Sequence, residues 1–167
     1  MKKILDACCG CRMFWFDKKN PNVEFIDIRN EQRVVDIGTR GTIGRKPRVV
    51  MPDKIADFTD MPFADCSFYH VVFDPPHLLK AADGGVMTFN YGKLKNGWKS
   101  DLKKGFSECF RVLKYNGTLV FKWCETEIPL REVLALTNET PLYGHRSGKK
   151  AMTHWVVFMK NEEQAKK

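Results

Sequence analysis

Short apolar runs recur along the chain, and each stops at a polar or turn-forming residue. Residues 3–7 form the first run, 23–28 the second, 54–57 the third, 69–74 the fourth and 118–123 the fifth. Residues 142–144 and 154–159 follow near the end. Runs with little polar interruption suit strands covered on both faces, as in a parallel sheet. Between some of them the period changes to that of a helix. Residues 101–114 place Leu102, Phe106, Cys109 and Leu113 on one stripe, with Ser100 available as a cap. Residues 129–137 begin with Pro129 and continue with Leu130, Val133, Leu134 and Leu136. Residues 12–19 are expected to form a short first helix. The alternation predicts a doubly wound α/β sheet. Residues 30–52 break it: Gly38, Gly41, Gly44 and Pro47 predict a loop or irregular hairpin, which carries Arg33, Arg40, Arg45, Lys46 and Arg48.

Composition narrows the class. The chain has 167 residues, 43% of them hydrophobic, which suits one domain with a sizeable core. We expect that domain to span residues 1–160, with 161–167 a polar tail. The net charge of +8 favours a polyanionic partner, and nucleic acid is the commonest. Lys2, Lys3 and Asp6 put charge where a signal peptide needs its apolar run, and no stretch is long or apolar enough to span a bilayer. A cytoplasmic location, without membrane contact, is therefore expected. The six cysteines are then expected as reduced thiols. Cys8 and Cys11 have the spacing of a redox or zinc pair, but no second pair or spaced His completes a metal site, so none is expected.

Candidate chemistry sits at the ends of the strands, where open α/β sheets bind ligands. Asp74-Pro75-Pro76-His77 directly follows the fourth run. Two prolines stiffen the backbone and remove its N–H groups. The Asp74 carboxylate and the Pro75 carbonyl can then both accept hydrogen bonds from one NH2 group, and a planar ring at His77 can stack on the base that carries it. This tetrad resembles the Asp/Asn/Ser-Pro-Pro-aromatic motif of the nucleic-acid amino-methyltransferases, with His in the aromatic slot. Residues 108–123, with Glu108, Arg111, Val112, Leu113, Lys114, Asn116 and Gly117, are similar to the helix-turn-strand of class I methyltransferases. Residues 56–73, with Asp57, Met61-Pro62-Phe63 and Ser67-Phe68, are similar to another block of that family. The resemblance covers about residues 3–159, with three motifs in the family's order.

The resemblance implies a Rossmann-like, mostly parallel seven-stranded sheet with an antiparallel last strand, in a minimal version with some helices missing. It implies S-adenosyl-L-methionine as cofactor. Asp6-Ala7-Cys8-Cys9-Gly10-Cys11-Arg12 stands where the family has its glycine motif, and keeps the acid and one glycine. Asp6, Ala7, Cys8 and Gly10 are the expected contacts there. Arg12 either reaches the cofactor carboxylate or points to solvent. Asp27, with Ile28, closes the second run, where an acid commonly holds ribose hydroxyls. Asp57, or nearby Asp60, with Phe58, stands where the family recognises adenine. Asp74 also faces the cofactor.

The implied reaction is methylation of an exocyclic nucleobase amine. Adenine N6 in DNA is the first expectation. Adenine N6 or guanine N2 in RNA, a small-molecule or protein acceptor, and a binding module without catalysis are the alternatives. The acceptor would lie against Asp74, Pro75, Pro76 and His77. Residues 78–98, with Gly84, Gly85 and Gly92 among aromatic and basic groups, have the composition of a lid. Tyr91, Lys93 and Trp98 within it, Lys122 and Trp123 on the fifth run, and Arg146 and Lys149 in a basic turn are the candidate substrate contacts. A chain this short leaves no room for a separate target-recognition domain. Selectivity is then expected to be short, weak or supplied by a partner protein.

Overall fold

Each apolar run becomes a strand, with shifted ends. The structure is a computed structural model that describes residues 2–39, 42–81, 83, 85–146 and 152–161, with the backbone alone for 35–39 and 42–46. Its strands are β1 (Ile4–Asp6), β2 (Val23–Asp27), β3 (Glu31–Thr39), β4 (Thr42–Val50), β5 (Lys54–Ile55), β6 (Phe68–Phe73), β7 (Leu113–Cys124), β8 (Tyr143–Arg146) and β9 (Thr153–Met159). The helices are α1 (Val86–Tyr91), α2 (Trp98–Val112) and α3 (Leu130–Leu134).

Seven strands form one sheet in the order β5-β2-β1-β6-β7-β9-β8. From β5 to β7 every pairing is parallel, and β9 runs antiparallel between β7 and β8. This is the mostly parallel, Rossmann-like sheet with an antiparallel last strand that the sequence predicts. The strand order reverses between β1 and β6. That switch point opens a crevice at the C-terminal edge. The register fixes what borders it. Asp6 pairs with Phe25 on one side and with Val72 on the other. Asp27 and Asp74 each stand two residues further on, in matching positions on either side of β1.

The core explains why the middle strands read as apolar runs. Leu5, Ile26, Val71, Phe73, Leu119, Phe121 and Trp123 are buried with helix residues Leu102, Phe106 and Cys109. Gly105 lets α2 approach the sheet. A Cβ there would lie 2.7 Å from the rings of Phe58 and Phe73.

Four expectations change. Residues 12–19 form turns and no helix. Arg12 has a left-handed φ of 51°, and Phe14 and Trp15 fold inward separately while Phe16 is exposed. Trp15 packs edge-on against Phe25, and Phe14 against Trp155. Residues 30–52 hold a regular antiparallel hairpin, β3–β4, paired from Glu31↔Val50 to Thr39↔Thr42. Pro47 is tolerated because a two-stranded ribbon has no central strand whose every N–H is needed. Helix α2 begins at Trp98, ahead of Ser100, after Gly97 in a left-handed conformation. Helix α3 is shorter than expected and follows Pro129. Of the tail, residues 162–167 lie outside the described residues.

Candidate active site

A cleft of about 370 Å³ opens at the C-terminal edge of β1, β2 and β6. Ala7, Cys8 and Gly10 line it from the turn after β1, Asp27 and Ile28 from the end of β2, Phe58 from beyond β5, and Asp74 and Pro76 from beyond β6. Residues 88–93, the end of α1 and its exit, line another side. So most of the expected cofactor contacts share one cleft, and three stand apart from it.

Asp6 is fully buried, accepting hydrogen bonds from the Cys8 N–H and the Trp15 indole N–H. Burial pushes its carboxyl up to about 7. Arg12 does not reach toward the cleft. Its guanidinium donates to the carbonyls of Lys18 and Met51 and to the Asp53 carboxylate, and lies 3.8 Å from the centre of the Phe25 ring. Neither reading of Arg12 survives: its donors are engaged and its plane is stacked. Asp57 accepts from the backbone N–H and hydroxyl of Thr59, closing a tight turn in which it bridges to Asp60.

Asp27 is buried and surrounded by donors. Oδ2 accepts from the Gly10 N–H at 3.0 Å and from Arg29 Nη2 at 3.2 Å. Oδ1 accepts from the Arg29 backbone N–H at 2.9 Å and from Arg29 Nε at 3.0 Å. Arg29 also donates from Nη1 to the Phe89 carbonyl at 2.6 Å, tying Asp27 to α1. The two layers also touch at Gly10, whose φ is +47°. A Cβ there would lie 2.8 Å from the Asn90 carbonyl oxygen. Phe89 packs with Val50, Cys11 and Val86.

The other edge of the cleft is built differently. The Asp74 side chain is only 7% exposed. Oδ2 accepts from Lys122 Nζ at 2.5 Å. Oδ1 is buried and has no hydrogen-bond partner among the described residues. Burial pushes the Asp74 carboxyl up, and the Lys122 cation opposes that shift. The Lys122 ammonium lies 5.6, 5.2 and 5.8 Å from the ring centres of Phe14, Tyr91 and Trp155.

His77 is buried, with its ring 5.1 Å from Tyr91 and 6.2 Å from Trp123. Burial, helped by the Lys122 charge, lowers its imidazole to about 4. His77 therefore does not offer an open stacking face. Tyr91, beside His77, lines the cleft. Pro75 is buried.

The remaining expected substrate contacts scatter. Lys93 lines the cleft and pairs with Asp83 at 2.9 Å. Trp98 packs on the main core at the start of α2, and Trp123 is fully buried, donating to the Ile128 carbonyl. Alternation along β7 sends Trp123 inward while Lys122 faces the cleft side. Arg146 is exposed and pairs with Glu125, which His154 also approaches. Lys149 lies outside the described residues, as do Arg40, Gly84 and Lys150. Sequence reasoning missed Arg29, Asn90, Phe14 and Trp155. Only Arg29, two residues beyond the strand-end acid, carried a local signal.

Among the described residues, no group of three or more His, Cys, Asp or Glu is placed to hold a metal ion. No helix there is long and apolar enough to cross a membrane.

No family model matches the chain, and no curated protein matches it. Solved structures do. The chain is similar to the PH0226 protein from Pyrococcus horikoshii OT3, with a TM-score of 0.56 and 16% identity, over 95% of this chain and 82% of that one. It is also similar to a structure from Methanosarcina mazei described as a SAM-dependent methyltransferase. There the TM-score is 0.53 and the identity 13%, over 95% of this chain and 92% of that one. At these identities the likeness is one of fold.

Proposed function

We propose that this protein is an S-adenosylmethionine-dependent methyltransferase that methylates an exocyclic amino group of a nucleobase, with adenine N6 in DNA as the first acceptor to test. The observation that carries this reading is the Asp74 carboxylate. It follows the central strand β6, lines the cleft, and leaves Oδ1 buried without a hydrogen-bond partner among the described residues. A buried acceptor without a donor is costly, so such an atom marks a place where a ligand donor belongs. The Asp-Pro-Pro sequence adds the Pro75 carbonyl beside it. The fold shared with the Methanosarcina protein supports the same cofactor class.

The residues fit that cofactor. The Gly10 turn with Ala7 and Cys8 would take the methionine part, Asp27 the ribose, and Ile28 and Phe58 the apolar faces of adenine. The cofactor supplies a methyl group already activated on a sulfonium. Asp74 Oδ1 and the Pro75 carbonyl would hold the two N–H groups of the acceptor, so that the nitrogen lone pair can turn toward the methyl group. The carboxylate then opposes the positive charge that forms on nitrogen. The proton leaves after transfer, so no separate base is needed. One adjustment is implied: ribose hydroxyls compete with Arg29 for Asp27.

Charge supports a nucleic-acid partner. In the β3–β4 register Arg33 pairs with Arg48, on the ribbon face that begins with Glu31 and Val50. Glu31 and Arg33 line the cleft, and Val50 packs on Phe89. Arg33 at the cleft and Arg48 opposite it therefore put two cations where a phosphate backbone would pass. A base held in a duplex has to flip out to reach such a cleft. Nucleoside mass spectrometry on DNA and RNA from cells expressing the protein, beside an Asp74→Ala control, tests the reading and separates the two polymers. No methylated base above that control, with no binding of S-adenosylmethionine by calorimetry, would end it.

A further inference from the structure

Lys122 occupies half of the group that the acceptor needs. We propose that Lys122 is a positioning residue that fixes the acceptor class: it neutralises Asp74 and covers Oδ2, leaving a single-oxygen site that takes a neutral, conjugated NH2 and rejects an alkylammonium. This rests on the methyltransferase reading above.

The geometry carries the argument. Lys122 Nζ lies 2.5 Å from Oδ2, and the two side chains are 15% and 7% exposed. Three rings from separate parts of the fold surround the ammonium: Phe14 from the turn after β1, Tyr91 from α1 and Trp155 from β9. Cation–π attraction on three sides holds the charge in place. The carboxylate therefore cannot turn its paired oxygen toward a ligand. Among the described residues only Oδ1 of the pair lacks a hydrogen-bond partner, and the pair as a whole is neutral.

A neutral pair discriminates. A protonated alkylamine would bring a second cation to a carboxylate that already has one, and like charges in a buried site repel strongly. A nucleobase or carboxamide NH2 carries no charge before transfer. It would donate one N–H to Oδ1, and the Asp-Pro-Pro sequence offers the Pro75 carbonyl as a second acceptor. Positive charge appears on nitrogen only during transfer, when Oδ1 opposes it. Lys122 thus makes Asp74 resemble a carboxamide in charge while leaving a stronger acceptor.

Lys122 also opposes the protonation that burial favours. Burial pushes Asp74 up and Lys122 pulls it down. The other groups in reach do not replace Lys122. Asp6 on β1 and Cys8 after it are acidic groups, and His77 in the same loop is held neutral. Glu127 acts on His77 and is itself held by the Leu79 and Lys80 N–H groups.

The test reads Asp74 directly. Infrared difference spectra of the full chain, with Asp74→Asn as the blank, report whether its carboxyl is protonated. In the wild type it should stay ionised from about pH 6 to 9, and millimolar propylammonium should leave its band unchanged. In Lys122→Met it should be protonated at neutral pH, with circular dichroism unaltered. In Lys122→Ala, which opens space for the missing ammonium, propylammonium should restore the carboxylate. An Asp74 that stays ionised without Lys122 overturns the proposal, and so does wild-type Asp74 that responds to propylammonium. Should Lys122→Ala fail to fold, Lys122→Met and the wild-type titration still decide. In methylation assays, Lys122→Met should lose about tenfold or more in rate as pH falls through neutrality. The pair Asp74→Asn with Lys122→Met should be insensitive to pH, because an amide oxygen accepts without ionising. Calorimetry with S-adenosylmethionine keeps the two claims apart: its failure would sink the methyltransferase reading and leave the infrared result standing.

Discussion

Asp27 and Asp74 are the same residue type in matching positions on either side of β1, yet their surroundings differ. Asp27 collects four N–H donors, three of them from Arg29. A carboxylate has about four lone-pair directions, so it is already satisfied. Asp74 has one strong partner and one buried oxygen that has no partner among the described residues. Burial alone does not mark a binding group, because both side chains are buried. The unmet oxygen does. The first carboxylate reads as a joint between the glycine turn and α1, which a ligand has to enter by competition. The second still lacks a donor for one buried oxygen among the described residues.

The largest expected effect breaks the open side. Asp74→Ala should lower the methylation rate about a hundredfold or more, the usual cost of one preorganised electrostatic contact, and leave cofactor affinity nearly unchanged. Wild-type turnover in that variant would show the acceptor site to be elsewhere.

The surroundings of Asp74 should also appear in stability. Folded His77 is held at about 4, against an ordinary 6.5. Between those values the unfolded chain takes up a proton that the folded chain refuses. Stability should therefore fall as pH drops from about 6.5 to about 4, by about 3 kcal/mol at the lower end, and this contribution should be flat outside that window. Urea unfolding of the wild type and His77→Gln across pH isolates it, and parallel curves for the two proteins would refute it.

On the satisfied side, Asp27→Ala should weaken cofactor binding by about 1–3 kcal/mol. It also strips Arg29 of its anchor, so protease cleavage near α1 should increase. Weakened binding with unchanged cleavage would mean that Arg29 does not couple the two. The smallest effect is expected at Arg12. Arg12→Ala should leave cofactor affinity unchanged and cost about 1 kcal/mol of stability, because its donors bind Lys18, Met51 and Asp53. A calorimetric loss of cofactor affinity would return Arg12 to the cleft.

The difference between the two acids was not legible in the sequence, although both positions were. Strand ends are punctuated by local chemistry: Asp27 and Asp74 stop apolar runs, and two prolines follow the second. Partners are not local. Lys122 is 48 residues from Asp74 in the chain, and Phe89 is 60 from Arg29. Trp123 looked like a substrate contact beside Lys122, and the pleat of β7 separated them. His77 looked like a stacking ring, and packing against Tyr91 and Trp123 buried it.

What the sequence by itself determined is the sheet and its order of chemistry. Apolar runs of strand length with helices between them admit few topologies, since parallel strands need crossovers and crossovers have one hand. The Gly10 turn, the strand-end acids and Asp-Pro-Pro then fall on one edge. The tertiary structure alone decided which of those groups are free. It folded residues 12–19 by their aromatic side chains instead of by helical period, and it paired residues 31–50 as a ribbon. It gave Arg29 to Asp27 and Lys122 to one oxygen of Asp74. The physical reason is that hydrogen-bond satisfaction belongs to neighbours in space. A chain can specify a carboxylate locally, but whether that carboxylate still needs a donor depends on residues tens of positions away.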